Sequence, residues 1–543
     1  MQRHNGAIIG SLVVLLISSA AAQTNLIDPY DILSRHFEAC GGLDHLKAER
    51  SQYTECDVLF AGLKGTLKAW VQKPDRSRVD FDLGVFKVIQ GDNGKMQWVL
   101  DTNGKLQEIT NFDEPTIKRK DVKRRMAEYE YADRKSEIFK VSLKGIENIE
   151  GADCYAIQIT NILNSDVLTS YINTKSFLLE KSVSLEAENS NDSYYKDYRD
   201  TDGLKVAFWT KQIAHQTGQE QEISITKYKS NPDIDPALFN PPQESAKDFE
   251  FVDGRSAENI PFLFSGNHLY IPVAIECNER YWILDTGAAM SVIDKGYADE
   301  LGLELQGDLR GKGAGGTVDV SLTTLPPFGL RGICFNEQTV GVIDLKELNR
   351  LLDLEIVGIL GFDFLSRFVT RVDYSKELIS FYDPEKFEYS GDGHQVDLNL
   401  KNSVFAVEAT LDGEHSGTWL FDLGAGSVSL DGVYAFRSGI SKRKGVEGLG
   451  RGAGSTFNVK KVKCSTIDFA GFTIDYPTVS FSYGGTDTVL TSDQIGILGN
   501  NLFRNFVIYC DYANERIIVE KGKDFNLRFP EDRSGLQLAR RDD

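Results

Sequence analysis

No Cys-x-x-Cys, no His-Glu-x-x-His and no Gly-x-Ser-x-Gly occurs in the 543-residue chain. Those absences remove zinc knuckles and thioredoxin-type redox pairs, zinc-peptidase helices and the nucleophile elbow of serine hydrolases. The histidines beyond the N-terminus, His36, His45, His215, His268, His394 and His415, are scattered, so no metal or other cofactor is expected. Seven cysteines, an odd number, leave at least one thiol free; Cys40 and Cys56 are the nearest pair, and no bridge is assigned. After the N-terminus there is no run of about 18 apolar residues, so no stable membrane span is expected. A net charge of −20 disfavours nucleic acid as a partner. One motif is a decoy: residues 311–316 satisfy Gly-x-Gly-x-x-Gly, but Val318, Val320 and Leu322 follow in strand alternation, with no helix to receive a phosphate.

What is present begins with a leader. Residues 1–22 carry Arg3, an apolar stretch over 7–18 and Ala20-Ala21-Ala22, the pattern of a cleaved signal peptide. Export to a periplasmic or extracellular space is expected. The length suggests roughly three to four domains. Apolar spacing at Ile32, Leu33, Phe37, Leu43 and Leu46 predicts a helix broken at Gly41-Gly42. From residue 54 to 239 short alternating segments separated by turn residues predict a long antiparallel meander. The proline-rich, polar stretch 231–255 reads as a linker. The basic run Lys118-Arg119-Lys120 and Lys123-Arg124-Arg125, close to Glu128, Glu130, Asp133 and Glu137, reads as a solvated helix face.

The helix with Ile32-Leu33, Gly41-Gly42-Leu43, the segment Ala69-Trp70-Val71-Gln72-Lys73-Pro74-Asp75 and the segment from Gly91 to Trp98 together resemble the lipoprotein-carrier (LolA-like) fold over roughly residues 25–242. The resemblance implies a curved antiparallel sheet with short helices, and an apolar ligand as a possible partner.

The C-terminal half repeats itself. Asp285-Thr286-Gly287 returns as Asp422-Leu423-Gly424, Gly313-Ala314-Gly315 as Gly452-Ala453-Gly454, and Gly358-Ile359-Leu360-Gly361 as Gly496-Ile497-Leu498-Gly499, at offsets of 137, 139 and 138. Three blocks in one order and nearly one register mean one structural unit used twice. In each copy an apolar strand delivers an Asp onto a glycine turn. A glycine-rich hairpin, with Gly313 and Gly315 or Gly452 and Gly454, reads as a flap able to close over a substrate. The Ile-Leu-Gly block sets a strand against the acidic loop and then opens a short helix. Asp363 and Asn501, just beyond it, are expected at helix starts, and Asp373 and Asp511 at hairpin turns.

This ordered set resembles the retropepsin-like aspartic peptidases, over roughly residues 256–390 and again 391–525. The resemblance implies a mainly β chain in which a LolA-like domain (23–245) is followed by two tandem closed β-lobes (256–390 and 391–530) related by a pseudo-twofold. It implies a monomer with an intramolecular pseudo-dimer, with Asp285 and Asp422 as catalytic carboxylates. Thr286, Gly287, Leu423 and Gly424 support their loops. Two close carboxylates cannot both ionise cheaply, so they share a proton and activate water by general acid–base catalysis. The expected function is aspartic endopeptidase action on polypeptides. The alternative is a non-catalytic binding protein, with an apolar ligand or lipoprotein in the N-terminal sheet and degenerate peptidase lobes. Two departures matter: Leu423 lacks the hydroxyl that Thr286 supplies, and Ala289 and Gly426 stand where the family carries Ser or Thr. Loss of a donor to the carboxylate predicts a pair that titrates higher than in acid peptidases.

Overall fold

The computed structural model describes residues 28–525 except 111, 187–189, 243–246, 351, 402–403, 453–455, 484–489 and 491–493. The expected leader, residues 1–22, lies outside the described residues. The first helix, Pro29–Ala39, starts where Asp28 accepts a hydrogen bond from the Tyr30 amide at 2.9 Å, with Pro29 inside the first turn. It ends before Gly41 and Gly42, both at positive φ, and the chain resumes as Leu43–Ala48. Ile32, Leu33 and Phe37 lie on one face and pack against Tyr155, Ile157 and Ile172 of the sheet beneath.

That sheet has thirteen antiparallel strands, built as two meanders. Six strands run outward from Ser51–Phe60 at the centre to Leu106–Ile109 at one edge. Helix Glu114–Ala127 carries the chain toward the other edge, where Phe139–Ile149 begins a return that ends with Glu220–Ser230 beside Ser51–Phe60. The basic run lies on this helix. Its cations are largely matched: Lys118 with Glu114, Lys120 with Asp92, Arg124 with Asp121, and Arg125 with both Asp121 and Glu130. Such pairs add little stability, but they leave little unmatched positive charge.

The two repeats fold alike. In the first, the Asp-bearing strand Asn278–Leu284 runs parallel to Gly358–Leu360; in the second, His415–Phe421 runs parallel to Gln494–Leu498. The strands that end each repeat pair across the junction. Val369–Asp373 lies antiparallel to Phe506–Asp511 at the centre of a six-stranded sheet shared by both lobes. Arg371 faces Tyr509, its own counterpart in the other repeat, so the local twofold passes through this pair. One apolar core runs through both halves, from Ile271, Trp282 and Leu284 to Trp419, Phe421 and Leu498. Asp373 and Asp511 take structural places, with Arg371 and Lys376 on the first and Asn514 and Arg516 on the second.

Two expectations need correction. The lobes are not closed: the first lobe's strand path ends at Phe249–Phe251 on one side and Gln306–Gly313 on the other, and the second's at Gly445–Arg451 and Phe472–Asp475. The reason is visible in the first flap, where Gln306–Gly313 carries no buried residue and so has no apolar face to wrap onto the core. The stretch read as a linker also contains a strand. Phe249–Phe251 pairs with Ile333–Phe335, and Phe249 packs at 4.7 Å, ring centre to ring centre, against Phe368. Phe249→Ala should therefore cost about 3 kcal/mol, read as a lower urea midpoint, whereas a true linker side chain would change it negligibly.

Candidate active site

Each acidic loop is fixed by the strand beside it. The Asp285 amide donates to the Leu360 carbonyl at 2.9 Å, and the Asp422 amide to the Leu498 carbonyl at 3.0 Å. Each carboxylate then turns back on its own loop. Asp285 Oδ1 accepts from the Gly287 amide at 2.7 Å; Asp422 Oδ1 accepts from the amides of Gly424 at 2.7 Å and Ala425 at 3.1 Å. The two lobes meet here, each carboxyl seated against the glycine of the opposite loop. The loop glycines are required by the opposite carboxyl. A Cβ on Gly287 would lie 2.8 Å from Asp422 Oδ2, and one on Gly424 would overlap the Asp285 carboxyl.

Thr286 crosses the junction, donating through Oγ1 to the Phe421 carbonyl at 2.7 Å and accepting from the Leu423 amide at 3.0 Å. Leu423 makes no such return contact; its side chain is fully buried in the core between the lobes. Its carbonyl is instead held by Asn500 Nδ2 at 2.6 Å, and Asn500 Oδ1 accepts from the Tyr374 hydroxyl of the first lobe at 2.6 Å. Asp363 and Asn501 reach further than a helix start. Asp363 accepts from the Ser291 amide at 2.7 Å and hydroxyl at 2.6 Å as well as from the Phe364 amide, and Asn501 accepts from the Val428 amide at 2.8 Å. They clamp the acidic loops to the Ile-Leu-Gly blocks. Gly426, lacking the expected hydroxyl, leaves room for His268 of the first lobe: a Cβ there would lie 3.0 Å from His268 Cε1. Burial holds the His268 pKa low.

A hairpin stands at each place where a flap was expected. Gly313 pairs with Gly316 around a two-residue turn, Ala314 and Gly315, in the hairpin of Gln306–Gly313 and Gly316–Leu325. The second hairpin joins Gly445–Arg451 to Thr456–Lys463; Gly454 lies outside the described residues. The tips meet: a Cβ on Gly452 would collide with Ala314. The N-terminal sheet braces the first flap from outside. The Asp308 amide donates to the Ala61 carbonyl at 2.8 Å, the Arg310 amide to Gln219 Oε1 at 2.8 Å, and Leu63 lies against Gly307. Nearby, Asn103 and the Thr339 backbone exchange two hydrogen bonds, at 2.8 and 3.0 Å. Ala61 and Gln219 sit in or beside ordinary turns, and nothing in their sequence marks a docking role. Asn500 did leave a trace, a polar residue where the first repeat has Phe362.

Burial raises the pKa of both carboxyls. For Asp422 the charge of Asp285 pushes further, well above the ordinary range, while loop amides act the other way on each. A carboxyl raised on folding binds its proton more tightly in the folded chain. Its stabilisation is therefore present below about pH 4 and lost as pH rises through the raised value. Asp285→Asn removes the repulsion. The urea midpoint of this variant should gain on that of the parent as pH climbs from 4 to 8; a constant difference would mean the carboxyls do not interact.

A family described as aspartyl protease has a model that matches residues 271–364, a span of the first lobe that includes Asp285. No curated protein matches the chain. Among solved structures, an aspartic proteinase from Irpex lacteus is 11% identical, with a TM-score of 0.35, over 51% of this chain and 100% of that one. A LolA superfamily protein from Nitrosomonas europaea is 12% identical, with a TM-score of 0.28, over 40% of this chain and 99% of that one. A DUF1329 family protein from Desulfovibrio piger is 16% identical, with a TM-score of 0.28, over 39% of this chain and 98% of that one.

Proposed function

We propose that this chain is an aspartic-type endopeptidase, exported from the cell, that hydrolyses peptide bonds with water activated between Asp285 and Asp422. The observation that carries the reading is the placing of each carboxyl against the glycine of the opposite acidic loop, each held by a loop amide of its own lobe. Such a pair retains one proton over a broad pH range. The ionised carboxylate takes a proton from water as the water oxygen attacks the peptide carbonyl carbon. The protonated partner donates to the carbonyl oxygen, giving a neutral tetrahedral gem-diol. Collapse transfers a proton to the amide nitrogen and breaks the C–N bond, releasing a carboxylic acid and an amine. No metal and no covalent intermediate enter this sequence. The flap tips, in contact at Ala314 and Gly452, supply a cover that must part to admit a polypeptide and can then exclude bulk water.

A diverse peptide library incubated across about pH 3 to 8 tests the proposal. The parent should cleave, and Asp285→Asn should lose activity by at least about a thousand-fold while folding normally. Equal turnover by the variant would remove the mechanism. No turnover by either form, with lipid co-purifying, would support the binding-protein alternative instead.

A further inference from the structure

Thr286 and Leu423 occupy one place in the two repeats, and a second inequality lies close to the first. Phe362 and Asn500 stand 138 positions apart, as do Tyr374 and Tyr512. Each tyrosine reaches the other lobe. Tyr512 meets Phe362 edge-on at 5.4 Å and stacks on Phe405 at 3.8 Å, and its buried hydroxyl has no partner among the described residues. Tyr374 instead donates to Asn500 Oδ1, and Asn500 donates to the Leu423 carbonyl, both at 2.6 Å. Asn500 is fully buried and Tyr374 nearly so.

The Leu423 carbonyl and the Gly424 N–H belong to one planar peptide unit. That N–H is the one that donates to Asp422 Oδ1 at 2.7 Å. A hydrogen bond accepted at the oxygen end fixes the plane and strengthens the donor at the other end. In the first repeat the corresponding peptide joins Thr286 to Gly287, and the Phe362 side chain at the matching place has nothing to donate. We infer that Asn500, held by Tyr374 from the opposite lobe, is a positioning residue for Asp422. With Tyr374 it ties the Asp422 loop to the first lobe, where a hydroxyl at position 423 would tie it through the Leu284 carbonyl, as Thr286 ties its own loop to Phe421. The Asp422 loop is then gripped from the first lobe at both ends of Leu423, by Thr286 at its amide and through Asn500 by Tyr374 at its carbonyl.

The titratable groups facing Asp422 are Asp285, whose charge acts on it, and Tyr512, close enough for the pair's charge to act on its hydroxyl. His268 lies against Gly426 of the same loop. None of these touches the Asn500 side chain by hydrogen bond, so a change at Asn500 reaches the carboxylate through the 423–424 peptide.

The inference rests on the proposed hydrolytic reading for its kinetic consequence but not for its titration. Asn500→Leu, Tyr374→Phe and the double variant Asn500→Leu with Leu423→Thr should be compared with the parent by carbon-13 NMR titration of the aspartate carboxyls. Peptide hydrolysis against pH is the parallel measurement. A weaker donor to the charged form raises the pair's lower apparent pKa, by about half a unit. The acid limb of the pH profile should move up by the same amount, with kcat down about tenfold and KM within about twofold for Asn500→Leu. Tyr374→Phe should show a smaller shift of the same sign, and Leu423→Thr should restore part of the loss. Titration curves and kcat unchanged in folded Asn500→Leu would overturn the inference. If Asn500→Leu does not fold, Tyr374→Phe, which keeps its ring packing, decides in the same terms. If the parent cleaves nothing, the hydrolytic reading fails by itself, and the NMR titration alone supports or overturns the positioning role.

Discussion

The structure of the C-terminal half turns on two carboxyl groups kept in contact inside one chain. Bringing Asp285 to Asp422 costs desolvation and repulsion, which the loops offset with amide donors from Gly287, Gly424 and Ala425. A common six-stranded sheet and one continuous apolar core hold the two loops at a spacing that neither lobe could set alone. The glycine requirement follows from the same contact, since each acidic loop leaves its second residue bare where the opposite carboxyl sits.

Around this contact the twofold is broken in a patterned way. The junction hydroxyl survives only on Thr286, and the Leu423 side is polar through Asn500 and Tyr374. The packing pair Phe362 and Tyr512 fills the mirror position with aromatic surface. Outside the lobes, the N-terminal sheet contacts the first flap through Ala61, Leu63 and Gln219. A duplicated scaffold has thus acquired different surroundings for its two carboxylates, the usual way in which chemically identical groups take different roles.

Much of this was legible in the residues. Three blocks repeated in register announced the two lobes, the acidic loops and the hairpins, because each depends on local features: a glycine turn, an apolar strand, strand alternation. The broken helix at Gly41-Gly42 and a long antiparallel meander were readable for the same reason. What was not legible depends on distant partners. Phe249 looked like part of a polar linker because its ring partners, Phe335 and Phe368, come far later in the chain. The antiparallel pairing of Val369–Asp373 with Phe506–Asp511 is a register between lobes, which strand pattern in either lobe leaves open. Asn500 followed an Ile-Leu-Gly block and so read as the opening of a short helix, which it is, while its side chain does something else. Closure of the lobes was inferred by resemblance, and the long polar flap strands, with little to bury, leave the sheets open instead.

If one chain builds one site from both lobes, peptide hydrolysis should be lost in Asp285→Asn, in Asp422→Asn and in an equimolar mixture of the two, since each chain would carry a broken pair that no neighbour can repair. Activity in either single variant, or activity regained on mixing, would contradict it.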